Sequence, residues 1–94
     1  MIVLTAIATA AEGKADAIIT EIKKLTPIVL KDPGCIAYTA HRSVDNPNKI
    51  MFYECYENQD ALKYHGQTEH FKAFGLATKG MWAARTEMAF WTKV

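Results

Sequence analysis

The chain has 94 residues, 50% of them hydrophobic and 22% charged, with a formal net charge of +1. That length favours one domain, residues 1–94, and the composition excludes a disordered chain. The balanced charge gives no reason to expect nucleic acid or an anionic membrane as partner, and no apolar run approaches the roughly 20 residues of a membrane span.

The first residues, Met1-Ile2-Val3-Leu4-Thr5-Ala6, lack the basic region of a secretory leader, so a cytoplasmic location is expected. Cys35 and Cys55 are too few for a disulfide framework and read as free thiols used in packing.

Ile2 to Thr9 is β-prone, with Ile2, Leu4, Ala6 and Ala8 on one face and Val3, Thr5, Ile7 and Thr9 on the other. Both faces are largely apolar, as in a central strand covered on both sides. A helix follows, with Ala15, Ile18, Ile19, Ile22, Leu25 and Val29 at helical spacing. Pro27 should kink or loosen its last turns, and Asp32-Pro33-Gly34 ends it.

Cys35 to Ser43 and Lys49 to Glu57 read as two strands of an antiparallel hairpin around the turn at Asp45-Asn46-Pro47-Asn48. Asn58-Gln59-Asp60 starts a short helix, Ala61 to His65, that ends at Gly66. Thr68 can cap a further helical segment from Glu69 towards Lys79, and Ala84 to Thr92 forms the last strand.

The order βαββαβ is that of an α+β, ferredoxin-like fold: a four-stranded antiparallel sheet with helices on one face. The other face then needs cover. The strands carry apolar side chains on both faces, Ile50, Met51, Phe52, Tyr53 and Tyr56 in the third and Met88, Phe90 and Trp91 in the last, more than a soluble monomer normally leaves bare. A symmetric homodimer, sheet against sheet, would resolve this.

Pro33-Gly34-Cys35, Tyr38, Asp45-Asn46-Pro47, Phe52-Tyr53-Glu54-Cys55-Tyr56, Ala61, His65, Thr68, His70 and Phe71 together resemble the antibiotic-biosynthesis-monooxygenase family, above all its small quinol-monooxygenase-like members. The resemblance implies a dimeric α/β barrel with a cavity between sheet and helices in each subunit. Some members oxidise aromatic polyketides or quinols with molecular oxygen and no metal or flavin. Others cleave haem, isomerise a small phosphorylated metabolite, or have no known activity, so function does not follow from fold.

His65 stands at the family's histidine position and suits a general acid or base. A backbone carbonyl satisfying a buried ring is the plainer alternative. Glu54 lies among apolar neighbours and must be paired or hold its proton more tightly. It is either a proton acceptor and partner of His65 or an ion-pair partner of Arg42 or Arg85. Tyr38 matches a family position and could steer a substrate oxygen. Tyr56, Phe71, Phe74 and Trp82 could wall a pocket for a flat aromatic or quinone-like substrate, although core packing is the commoner fate of such rings.

No metal site is expected. His65 and His70 are five positions apart, about 140° around one helix. They can face one ion only if the helix breaks at Gly66, and no third ligand is evident. The haem-degrading members carry an Asn on the first strand, which Ile2 to Thr9 lacks. No glycine pattern forms a phosphate loop.

The leading expectation is therefore a cofactor-independent monooxygenase with His65, Glu54 and Tyr38 as its catalytic set. An isomerase of a small polar metabolite would need Arg42, Lys63 or Arg85 turned inward. A non-catalytic dimeric binding or stress-response module would have its cavity filled by side chains.

Overall fold

The computed structural model describes residues 1–94, apart from the side chains of Arg85 and Thr86. Its elements are β1 (Ile2–Ala10), α1 (Ala15–Val29), β2 (Cys35–Arg42), β3 (Lys49–Tyr56), α2 (Gln59–Gly66), α3 (Glu69–Ala77) and β4 (Trp82–Trp91). The strands form one sheet in the order β2-β3-β1-β4, antiparallel at every pairing. This is the expected ferredoxin-like arrangement, with its second crossover divided into two helices and its last strand starting two residues early.

The apolar face of α1 buries Ala15, Ile18, Ile22, Leu25 and Val29 against Tyr38, Ile50 and Phe52 of the sheet. Pro27 does not end the helix, which runs through it to Val29. Proline has no N–H to donate. One residue earlier, the Thr26 hydroxyl donates to the Ile22 carbonyl at 2.9 Å.

The link from α1 to β2 is fixed by Gly34. Its φ of +80° suits a residue without a side chain, and a Cβ there would lie 2.5 Å from the Ala61 Cβ. The loop therefore presses on α2, and the Glu57 amide donates to the Gly34 carbonyl at 2.8 Å.

The α2–α3 break is built by two caps. The Asn58 side chain accepts from the Ala61 amide at 2.9 Å and starts α2. The Thr68 hydroxyl donates to the His65 carbonyl at 2.9 Å and accepts from the Phe71 amide at 3.2 Å, closing one helix and opening the next.

Pairing sets the faces of the sheet. Tyr38, Glu54, Leu4 and Phe90 form one cross-strand row, and Ala40, Phe52, Ala6 and Met88 the next, all on the side that carries α1. The opposite side holds Thr5, Met51, Tyr53 and Trp91. Large apolar residues remain exposed there and along β4: Trp91 is 57% exposed, Met88 64% and Phe90 59%. No helix among the described residues is long and apolar enough to cross a membrane.

Candidate functional site

Between the helix-bearing side of the sheet and α2 and α3 lies a cavity of about 520 Å³. Leu4, Ala6 and Phe52 form its floor, Leu62, Phe71 and Phe74 its roof, and Trp82, Met88 and Phe90 its β4 flank. Because Met88 and Phe90 both line it and stay largely exposed, the cavity opens at the β4 edge.

Three polar side chains meet in this apolar chamber. Tyr38 and Glu54 are register partners on β2 and β3, so they stand side by side on its floor. His65, only 3% exposed, comes from the last turn of α2. Its ring is enclosed by Tyr38, Tyr56 and Phe71, with centroids 5.7, 5.5 and 5.1 Å away. His65 Nε2 lies 3.8 Å from Glu54 Oε1, too far for a hydrogen bond and close enough for one atom to bridge them.

Glu54 Oε1 accepts a 2.6 Å hydrogen bond from the Tyr56 hydroxyl. Burial raises the affinity of the Glu54 carboxyl for its proton, and this hydrogen bond opposes the effect only in part. Burial also pushes the Tyr38 and Tyr56 phenols well above their ordinary range, with Glu54 adding to both. For His65 the sign reverses: burial disfavours the imidazolium, and nearby Asp32 opposes it incompletely, leaving the neutral ring favoured.

Behind His65, on the side away from Glu54, is Asp32. Its Oδ2 lies 3.5 Å from His65 Nδ1 and accepts from His70 Nε2 at 2.9 Å. The His65 contact lacks hydrogen-bond geometry, and Nδ1 has no hydrogen-bond partner among the described residues. Asp32 is buried like His65, whereas the His70 side chain is 22% exposed.

Tyr38, Glu54, His65, Phe71, Phe74 and Trp82 thus gather around one cavity. Tyr56 does not line the cavity: it is fully buried and stands behind the site, against the His65 ring and hydrogen-bonded to Glu54. Within the chain Arg42 does not pair with Glu54 but binds Asp16 at 2.8 Å. The Arg85 side chain lies outside the described residues. No Lys or Arg lines the cavity among them, and Arg42 and Lys63 are exposed.

In the sequence Asp32 reads only as a helix stop, and His70 reads as separated from His65 by a continuous helix. The break at Gly66 removes that separation, and Gly34 packing on Ala61 brings the third group in. Cys35 has its thiol pushed up, chiefly by burial, which makes it a poor nucleophile.

Comparison with known proteins agrees with this architecture. The family model for antibiotic biosynthesis monooxygenase matches residues 1–75. The chain is 35% identical over 72 residues to the probable quinol monooxygenase YgiN of Escherichia coli K12, covering 68% of this chain and 69% of that one. The uncharacterized protein sll1783 of Synechocystis is 40% identical over 43 residues, 46% of this chain. The chain covers only 29% of sll1783 and 50% of YjcS from Bacillus subtilis.

Among solved structures, PA3566 from Pseudomonas aeruginosa superposes with a TM-score of 0.91 at 25% identity, covering 99% of this chain and 93% of that one. A Caulobacter crescentus protein provisionally named an antibiotic biosynthesis monooxygenase gives 0.92 at 30% identity, over 99% and 89%. With its fold, register and family match in agreement, the chain belongs to the antibiotic biosynthesis monooxygenase family.

Proposed function

We propose that residues 1–94 act as one unit, a cytoplasmic homodimeric monooxygenase that uses molecular oxygen on a quinol or similar small electron-rich aromatic. The observation that carries this reading is the convergence of His65 Nε2, Glu54 and Tyr38 on one apolar chamber large enough for such a ring. The likeness to a probable quinol monooxygenase supports the substrate class.

The chemistry asks little of the protein. A deprotonated quinol is a strong electron donor, so the substrate supplies the electrons and no bound cofactor is needed. One oxygen atom enters a ring C–H bond and the other leaves as water. Quinol plus O2 gives a hydroxyquinone plus water, which balances atoms and electrons.

The neutral imidazole of His65 accepts the first phenolic proton at Nε2, with its own ring proton on Nδ1 facing Asp32. Glu54, holding its proton tightly, orients the second substrate oxygen, and the Tyr38 phenol, kept protonated by burial, donates to the oxygen that gains charge. Phe71, Phe74 and Trp82 pack on the ring and exclude water.

Oxygen uptake with a panel of quinols tests the reading. Turnover is expected to fall by about 100-fold or more in His65→Ala, the usual scale for losing a general base. Equal uptake by the parent and this variant would remove His65 from the mechanism, and no uptake with any quinol would remove the reaction.

A further inference from the structure

We propose that Asp32, His65 and His70 form a binding site for a divalent transition-metal ion, with Asp32 Oδ2, His65 Nδ1 and His70 Nε2 as donors. The three candidate ligand atoms all lie within 4.8 Å of one another. Two imidazoles and one carboxylate are a donor set for zinc-like ions, which bind nitrogen and oxygen at about 2.0–2.2 Å. Tetrahedral ligands at that radius stand about 3.3–3.6 Å apart. The Asp32–His65 separation of 3.5 Å already fits, and the Asp32–His70 separation of 2.9 Å needs to open by a few tenths of an ångström.

A second observation points to an ion. His65 Nδ1 is wholly buried, aimed at Asp32, and has no hydrogen-bond partner among the described residues. A buried polar atom without a partner carries a cost, and an ion taking the place of the Nδ1 proton would supply that partner. Access is available through His70, whose side chain is part-exposed, so that water would complete the coordination. The donors come from three places: the loop before β2, the end of α2 and the start of α3. An ion would therefore pin the helix break to the Gly34 loop.

The site lies behind the cavity, since His65 alone of the three lines it. An ion on Nδ1 forces the neutral ring's proton onto Nε2, the nitrogen facing the substrate. That nitrogen then donates and no longer accepts. Under the proposed monooxygenase reading, on which only this consequence rests, the loaded protein is switched off.

The test uses the full chain without an affinity tag, dialysed against a chelator and titrated with Zn2+ by calorimetry and with Co2+ by visible absorption. One ion per chain is expected, with a Co2+ ligand-field band and a higher melting temperature. Zn2+ affinity should fall by about tenfold or more in His70→Gln and in Asp32→Asn, and stay unchanged in the exposed neighbour Glu69→Gln. Absence of saturable one-to-one binding, or equal affinity in His70→Gln, overturns the site. His70→Gln decides alone should Asp32→Asn fail to fold. Oxygen uptake is read separately: none in the ion-free parent defeats the monooxygenase reading while leaving Zn2+ binding standing.

Discussion

Glu54 shows how a single side chain can cost stability where it serves a site. Burial makes the folded chain hold the Glu54 proton more tightly than the unfolded chain does. The folded-state value is raised, so this group's contribution is most favourable below its ordinary value of 4.5 and is lost as pH rises through the folded value. Glu54→Gln keeps an acceptor for the Tyr56 hydroxyl and cannot ionise. In ion-free protein it should be more stable than the parent at pH 8, with the difference shrinking towards pH 4. Each 1 kcal/mol reads as about 4–8 °C in a thermal melt of a chain this size. The same burial acts on the phenols. Tyr38→Phe and Tyr56→Phe should leave the alkaline tyrosinate absorbance of the folded protein unchanged, because neither phenol ionises before unfolding.

At the scale of elements, the site depends on where helices stop. Gly34 is one such stop, and a methyl group there would meet both an unfavourable φ and Ala61. Gly34→Ala should cost about 1–3 kcal/mol by denaturant melts and displace Asp32 from His65. Thr68 is another, since it serves the end of α2 and the start of α3 with one hydroxyl. Thr68→Val should cost about 1 kcal/mol and loosen His65 and His70 together, visible as faster amide exchange at Phe71.

Much of this was legible in the sequence. Alternation gave β1 its two apolar faces, spacing gave α1 its buried stripe, and Thr68 was readable as a cap from its place before Glu69. The Asp32 cluster was not legible, because periodicity describes neighbours within an element. Residues 32, 65 and 70 meet only through a loop pressed onto α2. Tyr56 misled for a related reason: the sequence places it two residues after Glu54 on the same strand but does not tell a ring behind a carboxylate from one beside it.

For the whole molecule, the helix-free side of the sheet is the question. Tyr53 and Trp91 stand exposed on it, and Trp91 Nε1 donates to the Thr5 hydroxyl at 2.9 Å, laying the indole along the surface. In the proposed homodimer this indole is interface. Trp91→Lys should shift the chain towards monomer in sedimentation equilibrium while leaving its far-ultraviolet dichroism intact. A parent that already sediments as a monomer at high concentration would defeat the dimer.

The position of β4 has a consequence for biogenesis. It pairs only with β1, the first strand in chain order, across register partners such as Val3 and Trp91. Without β4 in place, β1 presents a bare hydrogen-bonding edge beside an unfinished chamber. A nascent chain halted before Trp82 is thus an open template for strand addition by its neighbours. Docking of β4 on β1 is therefore the step that removes this exposed edge.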